Sequence, residues 1–371
     1  MKPKIFITPW IELGPKDIDI LIDSGANSAR INTGKLINNI AKIHELIKYY
    51  KSRDFKFYFD LTGNKPRAEK ITHKTSSNIE IGDEVIISSH ISRNVPKSIN
   101  HNLISTYIPT LLKNINSGDL NVDDGNLIFD IKKVVLLGNK INYLITKVIL
   151  NTQKQVHIQD GISSSNLYIH SGYKNLLTKS DIEILSNISN RLKRSIKYIV
   201  LSFCENPKQI IESINYIKSI GYDNFQVVPK IETVIGINNI DKICKLLIKI
   251  YGKKAELQIG RGDLSLDAKR GRIQYDYNLL VDNSIKTCSV NKVLISVLAL
   301  VMQSSRKKFK HNRNTKDIEP SIEDVNNINH LCDKKVYQIG LTNDMYIDKP
   351  ERMVSILANI IKTHKLKSPI V

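Results

Sequence analysis

The chain has 371 residues, 41% of them hydrophobic and 25% charged, a composition that excludes a disordered chain and suits one large α/β barrel or two to three smaller units. No apolar run reaches the length of a membrane span, "MKPKIFITPW" at the N-terminus has no signal-peptide cleavage pattern, and the four cysteines at 204, 244, 288 and 332 lack metal-ligand spacing, so a soluble protein of the reducing cytoplasm with no membrane partner is expected. The formal charge of +19 is spread along a chain rich in Lys, Ile and Asn, and its densest cluster, "SSRKKFKHNRNTK" at 304–316, reads as a solvated loop, so no nucleic-acid partner is expected either.

In chain order, β-rich runs alternate with helical periodicity. "KIFITPW" (4–10) precedes the helical "GPKDIDILIDSG". "SARIN" (28–32) precedes "GKLINNIAKIHELIKYYKS", in which Leu36, Ile40, Ile43 and Ile47 fall on one face. "KFYFDLTG" (56–63) is a third strand. Between roughly 68 and 170 the pattern changes to short strands, "IEIGDEVIISSH", "NLIFDIKKVVLLG" and "NYLITKVIL", with turns at "SGD" and "VDDGN". A segment of that kind is an inserted small all-β domain, expected to act as a lid. Alternation resumes with "YIVLSFC" (198–204), "FQVVPKIE" (225–232), "ELQIGRGD" (256–263), "KVLISVLAL" (292–300) and "KVYQIGLT" (335–342), the last followed by "KPERMVSILANIIKTHK". Eight such strands predict a (β/α)8 TIM barrel of the α/β class, formed by residues 1–67 and 171–371, with the β domain of 68–170 inserted after strand 3.

Barrel enzymes place their chemistry at the carboxyl ends of the strands. Arg30, Asn32, Asp60, Ser202, Lys230, Glu232 and Asp263 all fall there. Glu232 alone would read as the salt-bridge partner of a nearby Lys. Two carboxylates on adjacent strand ends, Glu232 and Asp263, instead suit a hard divalent cation such as Mg²⁺, which takes one or two carboxylates and fills its other positions with water and substrate oxygens. Lys230, two residues before Glu232, points the same way along an extended strand and is placed to hold a phosphoryl group or an enolate oxygen, although a strand-end Lys is commonly just solvated. The Gly-rich "GRGDLS" (260–265) offers backbone N–H groups to a carboxylate. Arg30 suits an anionic substrate as a bidentate clamp. Arg67 does so too, with a solvated hinge residue as the equal alternative.

These motifs resemble the pyruvate kinase family over nearly the whole chain and in the right order. "SGANSARINTGK" is similar to its Gly-Met-Asn-Val-Ala-Arg-Leu-Asn-Phe-Ser-His-Gly stretch, "DLTGNKPR" to its Asp-Leu/Thr-x-Gly-Pro-x-Ile-Arg segment, and "GDLNVDDGNLIFDI" to its β-domain motif. "LTKSDIEIL" with "YIVLSFCENPKQI" resembles the approach to strand 4, while "PKIETVIGINNIDKI" and "QIGRGDLS" resemble the Lys-Ile-Glu-Asn and Ala-Arg-Gly-Asp-Leu-Gly motifs. The resemblance implies that Glu232 and Asp263 ligate Mg²⁺ or Mn²⁺ and that Lys230 stabilises the transferring phosphoryl group and the enolate oxygen. It further implies that Arg30 and Ser202 contact the phosphoryl group and that the backbone of Gly262 and Asp263 binds the carboxylate of phosphoenolpyruvate or pyruvate. Asn32 and Asp60 match the monovalent-cation site. Members that dispense with K⁺ carry a Lys in the "DLTGNKPR" segment, commonly with Leu after the Asp, so Leu61 and Lys65 imply that K⁺ is not required.

Departures accompany the matches. Gly34, Lys35 and Leu36 replace Ser-His-Gly, Glu205 replaces an Arg, Leu298 stands where a Thr assists enolate protonation, and "LTND" (341–344) replaces Ser-Gly-Glu-Thr. The chain stops after the last barrel helix, so the family's C-terminal domain is expected to be absent and a monomer or homodimer is expected. The reading is a pyruvate kinase-like phosphotransferase acting on phosphoenolpyruvate or a pyruvate-like acid, with ADP or ATP as the nucleotide partner. Because "IETVIGINNIDKI" with "IGRGDLS" equally resembles metal-dependent aldolases and lyases, C–C chemistry on a 2-oxo acid is the alternative, and a non-catalytic binding protein is the third.

Overall fold

Strands buried on both faces can pack only inside a layer of helices, and the eight predicted strands do so as one closed parallel barrel. The computed structural model describes residues 2–9, 14–36, 39–63, 68–72, 79–88, 102–106, 119–122, 127–137, 140–151, 162–163, 176–268, 275–301, 320–341 and 350–364. The barrel strands are β1 (Lys4–Ile7), β2 (Ser28–Asn32), β3 (Phe57–Asp60), β4 (Tyr198–Leu201), β5 (Gln226–Ile231), β6 (Glu256–Gly260), β7 (Leu294–Val301) and β8 (Gln338–Leu341). Their order around the barrel is β1-β8-β7-β6-β5-β4-β3-β2. Every residue of β3, β5, β6 and β8 is buried, polar ones such as Lys230, Glu256, Gln258 and Gln338 included, as expected of parallel strands covered on both faces.

Successive side chains alternate between two cores. Val227, Ile231, Leu257 and Ile259 face the helical layer in the larger core. Phe6, Tyr58, Val200, Val228 and Leu298 fill the lumen. At the amino-terminal end of the lumen the Lys56 ammonium lies 2.6 Å from the Glu256 carboxylate, which also accepts the Tyr58 hydroxyl at 2.6 Å.

The covering helices start and stop where their caps dictate. Asn206 accepts from the Gln209 N–H and Pro207 opens the helix Pro207–Ser219, an N-cap with proline in the first turn. The helix Ile240–Tyr251 ends at Gly252, whose φ of 57° suits glycine. Of the four residues expected on one helical face, Ile43 and Ile47 are buried in the helix Ile40–Ser52, whereas Leu36 precedes it, after a 3₁₀ turn, because Asn39 caps the helix start.

Several strands end earlier than their sequence runs suggested. The 198–204 run leaves the sheet after Leu201 and turns at Phe203, whose φ is 59°. The 256–263 run ends at Gly260, and Arg261–Ala268 is helical.

The chain divides into two compact units, one comprising Met1–Gly63, Lys174–Leu264 and Asp276–Val371 and containing the barrel, the other comprising Asn64–Tyr173 and Ser265–Tyr275. The second holds a seven-stranded sheet. Its main hairpin pairs Leu127–Leu137 with Lys140–Asn151, and its buried residues include Val85, Ile86, Leu120, Phe129, Leu144 and Val148. Among the described residues no helix is long and apolar enough to cross a membrane.

Candidate active site

The carboxyl end of the barrel gathers charge around a buried carboxylate. Asp60, last in β3, pairs in register with Asn32, last in β2. The Lys230 ammonium donates to both Asp60 oxygens at 3.1 Å, and Arg30 Nη1 donates to Oδ2 at 3.0 Å. Two cations on one carboxylate that is 3% exposed form a desolvated cluster in which each charge depends on the others. Sequence spacing had associated Lys230 with Glu232. The structure puts Lys230 Nζ 3.8 Å from Glu232 Oε1, so Asp60 is the nearer partner.

Glu232, just beyond β5, is oriented from two sides. Its Oε2 accepts the backbone N–H of Phe203 at 3.0 Å. On the other side lies Gly260, where a Cβ would stand 2.6 Å from both Cγ and Oε1 of Glu232. Glycine at 260 therefore makes room for the carboxylate, a role legible in "QIGRGD" only once the two strands are known to touch. Asp263 stands in the first turn of the helix Arg261–Ala268, where the helix dipole favours a negative charge. Gly262 lies beside it, where a built Cβ would meet, among the described residues, no atom within 4 Å beyond its chain neighbours and its own helix's backbone. Arg261 donates to the Tyr277 hydroxyl, and burial lowers its guanidinium to about 10, with Tyr277 pulling the other way.

Ser202 is buried and donates to the Leu61 carbonyl at 2.9 Å, tying the turn after β4 to the one after β3. A second tie comes from Asp181, which accepts the Thr62 and Gly63 N–H groups at 2.8 and 3.2 Å. Glu205 is buried too, with Oε1 accepting the Thr233 hydroxyl at 3.2 Å. Burial pushes the neighbouring Cys204 thiol far up, which keeps it neutral and inert. Leu298 points into the lumen, wedged against Gly340, where a Cβ would meet its Cδ2 at 2.7 Å. Lys65 and Arg67 lie outside the described residues.

The structure thus brings Arg30, Asn32, Asp60, Ser202, Lys230 and Glu232 to the ends of four consecutive barrel strands, β2 to β5, with Asp263 after β6. Among the described residues no group of three or more His, Cys, Asp or Glu side chains could hold a metal ion. Two hard carboxylates, Glu232 and Asp263, nevertheless match the donor set that Mg²⁺ and Mn²⁺ take when substrate and water complete the shell. Phe203 and Gly260 do not stand out individually as site residues in the sequence. Their roles are contacts between strands, which no local pattern reports.

Comparison with known proteins agrees with this architecture. The family model for the pyruvate kinase barrel domain matches residues 11–339. Pyruvate kinase from Borreliella burgdorferi is 24% identical over 263 residues, 68% of this chain and 47% of that protein. The enzyme from Sporosarcina psychrophila is 23% identical over 281 residues, 74% of this chain and 43% of that protein. The chain therefore spans less than half the length of these relatives. Among solved structures, Cryptosporidium parvum pyruvate kinase in complex with ADP superposes with a TM-score of 0.68 at 16% identity, over 97% of this chain and 67% of that one. The barrel topology, the strand-end residues and a family match over most of the chain converge, and the chain belongs to the pyruvate kinase family.

Proposed function

We propose that the protein is a divalent-metal-dependent enzyme that acts on phosphoenolpyruvate or pyruvate through an enolate, with phosphoryl transfer to or from a nucleotide. The observation that carries this reading is the convergence of two cations, Lys230 and Arg30, on Asp60 beside the Glu232 carboxylate. Cations aimed at a carboxylate between strand ends are arranged to receive a phosphoryl or enolate oxygen in the same place. Glu232 and Asp263 would hold Mg²⁺ or Mn²⁺, and the space that Gly260 leaves for Glu232 suits that role. The bound ion would supply Lewis-acid polarisation of a phosphoryl or enolate oxygen.

The remaining roles belong to the chain itself. Lys230 and Arg30 orient the phosphoryl oxygens, and Asp60 positions both cations between turnovers. The N–H groups of Gly262 and Asp263, at a helix start, receive the substrate carboxylate. Ser202 is assigned to the phosphoryl group, which requires its hydroxyl to leave the Leu61 carbonyl. Arg67 is assigned to the substrate anion, and Lys65 with Asn32 and Asp60 to the place of a monovalent cation. The inserted unit, residues 68–170, is assigned the exclusion of water during transfer. ADP is bound in the Cryptosporidium parvum enzyme. For this chain ADP or ATP belongs to the proposal.

The test is incubation with Mg²⁺, phosphoenolpyruvate and a panel of nucleoside diphosphates, followed by ³¹P spectroscopy. Loss of the enol-phosphate signal with one nucleotide is expected, and no consumption with any acceptor rejects phosphoryl transfer. A second reading, C–C bond chemistry on a 2-oxo acid through its enolate, is favoured by "IETVIGINNIDKI" with "IGRGDLS", which resemble metal-dependent aldolases and lyases as closely as kinases. It expects pyruvate C3 proton exchange in D₂O without phosphoryl transfer.

A further inference from the structure

The turn after β4 is held in a conformation its own residues do not favour. Phe203 has φ 59°, in the left-handed region that a non-glycine residue keeps only when its surroundings over-determine it. Three ties from the end of β5 hold it there. The Cys204 N–H donates to the Lys230 carbonyl at 3.1 Å. The Phe203 N–H donates to Glu232 Oε2 at 3.0 Å. The Thr233 hydroxyl donates to Glu205 Oε1 at 3.2 Å while accepting the Gly236 N–H at 3.1 Å.

The third tie is the least expected. Glu205 is 6% exposed and Thr233 3%, and a buried carboxylate needs strong hydrogen bonds to compensate its desolvation. The Thr233 oxygen serves both as helix cap and as donor to Glu205, so it couples the helix Val234–Asn238 to the turn. That helix also packs closely on the same turn, since a Cβ on Gly236 would lie 2.6 Å from the Cys204 carbonyl oxygen. The left-handed Phe203 turns its N–H toward Glu232 Oε2, while Oε1 lies on the side of Gly260 in β6, the strand that leads into Asp263.

We infer that the Glu205–Thr233 pair is a positioning device: it locks the Phe203 turn so that the Phe203 N–H holds one Glu232 oxygen and presents the carboxylate in a single orientation to a divalent cation. This rests on the reading of Glu232 as a ligand of that cation. Neither residue is one of the two carboxylates assigned to the ion, Glu232 and Asp263. Both act through the backbone of Phe203, as outer partners of metal ligands do when they fix ligand orientation.

The test is Mn²⁺ binding to the full chain, read as free Mn²⁺ by electron paramagnetic resonance, so that no turnover is needed. Thr233→Val and Glu205→Ala should each weaken the Kd by about tenfold or more, as loss of such outer partners does. Thr233→Ser keeps the hydroxyl and Glu205→Gln keeps the acceptor oxygen, so each should stay within about threefold of the parent. Near-UV circular dichroism reports the folded fraction of every variant, and an affinity loss that merely tracks unfolded protein overturns the inference. So does parental affinity in Thr233→Val. Equal damage from Glu205→Gln and Glu205→Ala would assign Glu205 a charge-based role and overturn it as well. A parent chain that binds no Mn²⁺ rejects the metal reading of Glu232, an outcome distinct from a parent that binds and variants that bind equally well.

Discussion

Asp60→Asn tests the charged cluster most directly. The substitution keeps the volume and one acceptor oxygen but removes the negative charge facing Lys230 at 3.1 Å and Arg30 at 3.0 Å. The Lys230 side chain is only 7% exposed, so water cannot replace the lost partner. Breaking a buried pair from one side costs about 3–5 kcal/mol, and the retained acceptor puts the expectation at the lower end, about 3 kcal/mol. Cys204, Cys244, Cys288 and Cys332 are free and buried, so their labelling by a thiol reagent reports opening of the barrel. With labelling limited by the open population, a cost of about 3 kcal/mol means roughly 100-fold faster modification. Adding Lys230→Met should recover part of this, because the buried cation, which in Asp60→Asn retains Glu232 Oε1 at 3.8 Å but faces a neutral amide, is then gone, giving a coupling above about 1.5 kcal/mol. Labelling within about threefold of the parent, or strictly additive single changes, would refute the claim that the three charges form one desolvated cluster.

The other predictions concern separate parts of the barrel. Gly260→Ala puts a Cβ where Glu232 stands, 2.6 Å from its Cγ and Oε1, and should cost about 1–3 kcal/mol in calorimetry while weakening Mn²⁺ binding; unchanged affinity would show that Glu232 has room to move. Tyr58→Phe removes a hydroxyl 2.6 Å from the buried Glu256 carboxylate and should cost about 1.5–3 kcal/mol in urea unfolding, with no effect on Mn²⁺ affinity. Partial burial raises the Asp282 carboxyl, but the hydrogen bond and charge of His330 and the charge of Lys334 outweigh it, and the net shift is downward. A lowered carboxyl contributes stability that is present above its unfolded value of about 4 and lost as pH falls through its folded value. Asp282→Asn should therefore flatten the acid limb of stability against pH, by at most about 1 kcal/mol because its side chain is 32% exposed.

Much of the site was readable in one dimension. Lys230 and Glu232 share a face because side chains alternate along a strand, and Arg30, Asp60 and Asp263 follow apolar runs that signal strand ends. Where the reading overran, local chemistry was the cause. "GRGD" looked like a continuing strand, but the chain enters a helix at Arg261 with Asp263 in its first turn. "SFC" looked extended, but Phe203 adopts a left-handed turn whose stabilising groups lie on another strand.

The sequence by itself determined the eight-stranded α/β alternation, the position of a β-rich insertion and the strand ends where charge collects. Each of these rests on periodicity and burial that neighbouring residues express together. Only the tertiary structure decided that Lys230 answers to Asp60, 170 positions away, that Gly260 makes room for Glu232, that Thr233 grips Glu205, and that Ser265–Tyr275 groups with the inserted unit. Closing a barrel sets residues from distant segments side by side at a spacing fixed by strand register. Which charge meets which is then decided by the geometry of closure, and local sequence carries no record of it.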